Sequence, residues 1–273
     1  MSYVRDDIAE LWDDKSLLDH AFALEGEVFR DVARLKTMRV QLASKHYFVK
    51  LHMGVGWGEI LKNWLQFKRP VLGAENEYFA CRELEKKGIR APLVAAYAMG
   101  GGSIATRPSF VLCDELAHHI SLEDVTDTWF DAPASARTRS RMLYAVARFA
   151  KEFHGCGFIH RDFYICHLLA DEKALNEGSF DLAVLDLHRA RQFEEIPDRW
   201  LYRDLGGLLF STLDLGYTRR DWYRFIRLYS GRPLAVELAE RGQFWQRVLN
   251  RAEALYKEGM RKGIVKGKYQ ADR

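Results

Sequence analysis

Between residues 25 and 52 the apolar positions fall into three short runs broken by polar turns. Runs of this length, rich in β-branched and aromatic side chains, predict strands at 25–31, 36–42 and 45–52. The third, KHYFVKLH, alternates loosely between apolar and polar positions, and the first fifty residues as a whole read as strand. A glycine-punctuated stretch follows at 54–73, with a short amphipathic helix predicted at 59–67. Residues 74–87 predict a helix that stops at Gly88, with Lys86 and Lys87 in the last turn where the helix dipole favours cations. Two more strands are predicted at 93–99 and 109–114.

From residue 136 the period changes. Leu143, Val146, Ala147, Ala150 and Phe153 recur at helical spacing and predict a buried helix. Strand-like runs at 167–170 and 182–187 follow, and from about 199 the chain reads as helix. One segment, 218–229, carries Trp222, Phe225, Ile226 and Tyr229 on one face and Arg220, Arg224 and Arg227 on the other. Thr218 and Asp221 are spaced as a capping box at its start. Strands first and helices after is the order of an α+β protein, not of an alternating one. The expected architecture is two-lobed, with a strand-rich lobe over 1–116 and a helical lobe over 117–273, joined near 113–117.

Composition narrows the setting. The 273 residues are 48% hydrophobic and 13% aromatic, enough for a sizeable core. A formal charge of +3 is too mild to point to nucleic acid, and no nucleic-acid partner is expected. The basic stretch of Lys257, Arg261, Lys262, Lys266 and Lys268 reads as a solvated helix end. The cysteines, at 81, 113, 156 and 166, form no C-x-x-C pair, which suits a reduced, cytoplasmic setting with buried, inert thiols. The first residues lack the apolar core of a signal peptide. The longest charge-free run, 91–106, contains Pro92 and three consecutive glycines, so it predicts no spanning helix. Any membrane contact is expected to be peripheral.

The chemistry concentrates in two places. His160-Arg161-Asp162 sits in GFIHRDFYICHLLA, and Asp186 closes the apolar run LAVLDL. The pair matches the catalytic and metal-binding loops of protein kinases. Phosphoryl transfer needs one carboxylate to take or orient the proton of the attacking hydroxyl and another to hold Mg²⁺, a hard cation that prefers oxygen ligands. Asp162 suits the first task and Asp186 the second. Lys50 ends the strand run YFVK ahead of the helix that carries Glu75 and Glu77. This resembles the kinase lysine–glutamate pair that grips the α- and β-phosphates, and Glu77, further into the helix, is the expected partner.

The nucleotide roof is thin. A kinase glycine loop belongs between the first two strands, and Gly26 is the one glycine near it. Gly54, Gly56 and Gly58 follow Lys50, on the wrong side for a roof, and read as a hinge or substrate loop. Backbone groups of Glu115 to Ala117, at the join, are candidates for holding adenine. Asp204 is expected to brace the catalytic loop. His154, His160 and His167 show no standard zinc spacing, and His160 is expected to pack beneath the loop. Arg220 and Arg224 could meet an anionic substrate or lipid, or form the solvated back of a core helix.

Five blocks, HRDFYICHLL, LDLHRA, YFVKLHMGVGWGEI, RPVLGAENE and LDLGYTRRD, spread over about 26–229. They resemble the lipopolysaccharide core heptose(I) kinases. The resemblance implies a protein-kinase-like fold, ATP and a divalent metal as cofactors, and phosphorylation of the first heptose of the lipopolysaccharide inner core at its 4-position. It implies a site of action at the cytoplasmic face of the inner membrane of a Gram-negative bacterium, and acyl carrier protein as a partner. Residue by residue, it makes Asp162 the base, Lys50 the phosphate-binding lysine, Asp186 the metal ligand and Glu77 the helix glutamate. Where protein kinases carry an asparagine for a second metal, this chain carries His167. Neutral imidazole is a poor Mg²⁺ ligand, so either one metal suffices or another oxygen enters. Two rival readings are a kinase for a protein or another small molecule, and a nucleotide-binding pseudokinase scaffold. The thin roof favours the scaffold; the joint presence of Lys50, Asp162 and Asp186 opposes it.

Overall fold

The computed structural model describes residues 1–13, 15–32, 34–54, 73–103, 106–265, 267 and 269. The helix expected at 59–67 lies outside the described residues, as do Gly56, Gly58, Lys266 and Lys268. The chain divides into two compact units: Met1–Ala117 with Asp186–Ala190, and His118–Leu185 with Arg191–Arg273. Asp186–Ala190, grouped by sequence with the second part, belongs to the first, because Asp186 and the His188 carbonyl bond to Lys50 and Asn76 there.

The first unit runs β1 (Ser2–Val4), α1 (Asp6–Ala9), α2 (Leu17–Phe22), β2 (Glu27–Val32), β3 (Leu35–Leu42), β4 (Lys45–His52), α3 (Glu75–Lys86), β5 (Val94–Met99) and β6 (Ser109–Asp114). One antiparallel sheet has the order β1-β5-β6-β4-β3-β2. The expectation of strand over the first fifty residues fails at α1 and α2. Ser16 caps α2 by accepting the Asp19 N–H at 3.2 Å, a favourable start that propensity for strand does not outweigh. These helices cover one face of the sheet: Ile8 and Ala21 are buried with Met38, Val40, Tyr47, Val49, Leu51, Phe110 and Leu112.

That packing gives β4 a cleaner alternation than its sequence suggested. Tyr47, Val49 and Leu51 are buried in this core, while Phe48, Lys50 and His52 are only partly covered. Because strand side chains alternate in direction, Lys50 is committed to the other face, where α3 lies. Ser109 receives the Ala74 N–H at 3.1 Å and so anchors the start of α3, whose Ala74 offers no side-chain cap of its own. Tyr78 of α3 stacks on Tyr97 of β5 at 4.2 Å between ring centroids, which sets the helix down on the sheet.

The second unit contains β7 (His119–Ser121), α4 (Leu122–Thr126), α5 (Ala136–Gly155), β8 (Phe158–Ile159), β9 (Leu168–Asp171), α6 (Glu172–Asn176), β10 (Leu182–Val184), β11 (Arg191–Gln192), α7 (Asp198–Phe210), α8 (Arg219–Ser230) and α9 (Leu234–Lys262), which kinks at Arg241. Two small antiparallel sheets, β10-β9-β7 and β11-β8, frame the loop between β8 and β9. Gly157 (φ 82°) permits the second of them, since a Cβ there would stand 2.2 Å from the Phe193 carbonyl oxygen. The strand expected at 182–187 ends at Val184. Asp186 adopts a left-handed backbone (φ 57°), and Leu187–Arg189 forms a single 3₁₀ turn. The capping box at Thr218 and Asp221 is present at the start of α8.

Candidate active site

Lys50 is the centre of the first unit's charged cluster. Its Nζ donates to Glu77 Oε1 at 2.8 Å and to Asp186 Oδ1 at 2.6 Å. Glu77 is buried, and Glu75 stands in the exposed-to-intermediate first turn of α3 without making this contact. Burial works against the Lys50 ammonium, but the Glu77 and Asp186 carboxylates outweigh it and hold its pKa well above the usual lysine range. Burial likewise works against an ionised Asp186. The hydrogen bond from His188 and the charge of Lys50 overcome it, and the carboxyl is held far below the usual range. His188 Nδ1 donates to Asp186 Oδ1 at 2.8 Å, so one carboxylate oxygen carries both donors.

His52 borders the same cluster. Its Nε2 is buried with no hydrogen-bond partner among the described residues. Burial, then Lys50 and His188, push the imidazole down to about 4. It is therefore neutral near pH 7, a polar ring beside a charged triad. Nothing in the sequence singled out His52 or His188. The signal available was the spacing of Lys50 and His52 on one face of a strand, and of Asp186 and His188 around one turn.

The second unit holds the catalytic-loop sequence by its backbone. Asp204 of α7 is buried and accepts the N–H of His160 at 2.5 Å and of Arg161 at 2.8 Å. Arg161 has a left-handed backbone (φ 75°), a conformation that costs a non-glycine residue free energy and persists where the surroundings over-determine it. His160 is fully buried and donates from Nε2 to the Leu185 carbonyl at 2.7 Å. His167 donates from Nδ1 to the Asp162 carbonyl at 2.7 Å and stacks on His160 at 5.2 Å. The Leu185 N–H in turn donates to the His167 carbonyl at 2.9 Å. Both backbone groups of the residue before Asp186 are thus held by the loop that carries Asp162. His154 completes the buried layer, 3.5 Å from Asp204 and 2.9 Å from the Tyr229 hydroxyl.

Other sequence-predicted positions land elsewhere. Gly26 is not in the β2–β3 turn, where a phosphate roof would lie. It precedes β2, and a Cβ there would stand 2.1 Å from the Arg39 carbonyl oxygen, so glycine answers a close strand crossing. The Glu115 N–H, a candidate donor to adenine, is already given to the His46 carbonyl at 3.2 Å, and the Glu115 carboxylate receives Arg39 at 2.8 and 3.0 Å. Ala117 is exposed at the end of the first unit's opening segment. The Nδ1 of His167 is committed to the loop, which marks that side chain as a brace for Asp162. Arg220 is exposed on α8, and Arg224 is tied to Asp221 at 2.7 Å. In the helical unit a cavity of about 520 Å³ is lined by Leu143, Val146, Leu208, Trp222, Ile226 and Trp245 together with Arg219, Asp221 and Gln246.

Comparison with known proteins bears on all of this. The model of the lipopolysaccharide kinase (Kdo/WaaP) family matches residues 19–229. A lipopolysaccharide core heptose(I) kinase, WaaP of Pseudomonas aeruginosa, is 40% identical over 254 residues, spanning 93% of this chain and 95% of the relative. The solved structure of WaaP in complex with acyl carrier protein superposes with a TM-score of 0.81 at 33% identity, covering 94% of this chain and 99% of that one. The BubR1 kinase domain shares the fold alone, at a TM-score of 0.51 and 12% identity over 83% of each chain.

Proposed function

This chain belongs to the lipopolysaccharide kinase (Kdo/WaaP) family, and from that premise we propose that it transfers the γ-phosphate of ATP to the first heptose of the lipopolysaccharide inner core, at its 4-position. The observation that carries the chemistry is the Lys50–Glu77–Asp186 cluster: an ammonium fixed between two carboxylates. Lys50 binds the α- and β-phosphates, and Glu77 keeps it extended for that task. Asp162 accepts the proton of the sugar hydroxyl. A positioned base of this kind contributes about 10²–10⁴-fold. Asp204, His160 and His167 act on it indirectly, by fixing the backbone on either side.

The donor set suits magnesium. Asp186 is ionised, and the described residues contain no cluster of three or more His, Cys, Asp or Glu able to hold a metal alone. Mg²⁺ is commonly held by one or two carboxylates together with substrate phosphates, so Asp186 is its ligand in this reading. When bound, the ion supplies neutralisation of the phosphate oxygens.

No helix among the described residues is long and apolar enough to cross a membrane. With a glycolipid acceptor, the reading is of a protein that meets the cytoplasmic face of the inner membrane peripherally. Acyl carrier protein, present in the complex of the solved relative, is proposed as a partner here too. The apolar part of the cavity wall in the helical unit could take an acyl chain, with Arg219, Asp221 and Gln246 on the same lining.

The test is transfer of labelled γ-phosphate from Mg-ATP to heptose-bearing core lacking phosphate, with Asp162→Ala beside the wild type. Transfer that falls at least about 100-fold in the variant, with ATP still bound, supports both the reaction and the base. Binding of ATP by the wild type with no transfer to the core would overturn the acceptor.

A further inference from the structure

We propose that Phe29 and Phe48 form the platform on which the base of the nucleotide donor stacks, so that the base is read by its face and not by a pattern of hydrogen bonds. The inference rests on the kinase reading above and adds to it the residues that hold the end of the donor away from the phosphates.

The two rings meet on the face of the sheet that carries Lys50. In β4, Tyr47, Val49 and Leu51 turn into the core, so Phe48 takes the opposite side together with Lys50. Two residues along a strand span about 7 Å. A triphosphate gripped by the Lys50 ammonium therefore leaves its base, one ribose further on, at Phe48. On the other side of Lys50 the same face carries His52, whose Nε2 is buried, so the open aromatic surface lies on the Phe48 side. Register points the same way: Lys50 pairs with Val111 and Phe48 with Cys113, which puts Phe48 toward the join at 113–117. Phe29 comes from β2, across β3. The pairing of β2 with β3 shifts between Val28 and Arg30, which leaves Phe29 as the extra residue of a bulge, and a bulge re-aims its side chain. Its ring stands 5.3 Å from that of Phe48 between centroids, with the planes at 65°. Arg39 of β3 is in register with Phe48, but its guanidinium is committed to the Glu115 carboxylate at 2.8 and 3.0 Å.

Phe29 is 59% exposed and Phe48 is half-buried. An aromatic pair left this open has apolar faces still to cover, and a purine covers one by stacking. Two planes at 65° form a corner, in which a base laid on one ring meets the other ring at its rim. Such stacking tolerates every base, because each has a π-face. Hydrogen-bond readout at the join is correspondingly thin. The Asp114 N–H is given to the Leu93 carbonyl at 2.8 Å and the Glu115 N–H to the His46 carbonyl at 3.2 Å. No glycine occurs from 27 to 52 to cradle the phosphates, and Gly26 answers a strand crossing. Stacking supplies affinity for the donor that these features do not.

The test uses the full chain with Phe29→Ala, Phe48→Leu and Phe29→Trp, each checked for unchanged thermal unfolding. Calorimetric affinity is read, with Mg²⁺ and without acceptor, for ATP, GTP and ribose triphosphate, which keeps the sugar and phosphates but has no base. Phe29→Ala and Phe48→Leu are each expected to weaken ATP by about tenfold, and GTP by the same factor, while ribose triphosphate binds every variant like the wild type. Phe29→Trp, which enlarges the ring, should bind ATP at least as tightly as the wild type. If Phe48→Leu does not fold, Phe29→Ala carries the test alone, since that ring lies mostly in solvent. An equal loss on ribose triphosphate, a loss confined to ATP with GTP unaffected, or a Phe29→Trp protein as weak as Phe29→Ala would overturn the platform. A wild type that binds ATP through these rings yet transfers no phosphate to core would sink the kinase reading and leave the platform standing. Intact transfer with nucleotide affinity indifferent to both rings would sink the platform alone.

Discussion

The two units prepare their functional side chains by opposite means. In the first, position comes from charge: Lys50 is held at 2.8 and 2.6 Å by two carboxylates. In the second, position comes from the main chain. Asp204 takes two backbone N–H groups, and His160 and His167 each donate to a backbone carbonyl. The Asp162 carbonyl accepts from His167 Nδ1 and from the Tyr164 N–H. Under the proposed function, the Lys50 ammonium gives two of its three donors to Glu77 and Asp186 and keeps the third for a phosphate oxygen. A backbone brace need not move at all. Under the proposed function, the first unit is the binding half and the second the catalytic half.

The largest way to break the comparison is to remove the cation. Lys50→Met leaves Glu77 and Asp186 facing the same space without the ammonium between them. Losing one partner of a buried ion pair costs about 3–5 kcal/mol, and urea denaturation at pH 7 should show a loss of that size. A loss under about 1 kcal/mol would mean that solvent already screens the cluster and that charge does not set its geometry.

The second unit is broken at Asp204. Asp204→Asn keeps the shape but turns an amide N–H toward one of the two backbone donors. A buried donor left unsatisfied costs about 1–3 kcal/mol. The variant should lose that much stability and also lose turnover, with nucleotide affinity little altered. An Asp204→Asn protein with normal turnover would show that the loop backbone is fixed by His160 and His167 alone.

Much of this was legible and some was not, for physical reasons. Lys50 and Asp186 stand out because a polar residue closing an apolar run is costly unless it has work to do, and Asp162 through the His-Arg-Asp triplet and its spacing from Asp186. Glu77 follows from helix geometry once α3 is placed. The helices α1 and α2 were missed although Ser16 and Asp19 carry a cap signal and Leu17, Leu18, Ala21 and Phe22 share a face. The run is short, and its helical state is decided by the sheet it covers, which local sequence does not display. The pairing of Glu115 with Arg39 is likewise tertiary: it joins residues whose proximity depends on strand order. The placement of Asp186–Ala190 with the first unit is of the same kind.

The pH dependence sharpens the comparison without a lethal change. His52 folds to a value of about 4, below its unfolded value of about 6.5. The unfolded chain therefore takes up the proton first. This stabilisation is complete above pH 6.5 and is lost as pH falls from 6.5 to 4, by up to on the order of 3 kcal/mol. Asp186, also depressed, keeps its contribution until pH falls below its ordinary value of 3.8. Lys50, raised, keeps its own until pH climbs past 10.5. Between pH 6.5 and 4.5 His52 therefore contributes a slope that Asp186 and Lys50 do not. His52→Gln should flatten the decline seen by denaturation at pH 7 and pH 4.5, and a slope that survives the substitution would assign it to other groups.

The smallest expected effect decides what Gly26 is for. If it approached the nucleotide phosphates, a methyl group there would raise KM for ATP and leave stability nearly alone. The structure sets its Cα against β3 instead, with the Arg39 carbonyl oxygen 2.1 Å and a Val40 methyl 2.9 Å from where a Cβ would stand. A carbonyl in a ladder cannot swing aside as a side-chain tip can, so β2 must shift relative to β3. Forcing an extra carbon into a packed contact costs about 1–3 kcal/mol. Gly26→Ala should therefore lower the denaturation midpoint by that amount, with KM for ATP changed less than twofold at a temperature where the variant is folded. A severalfold rise in KM with the midpoint intact would return Gly26 to the phosphate roof and would mean that the binding half holds ATP by backbone as well as by charge.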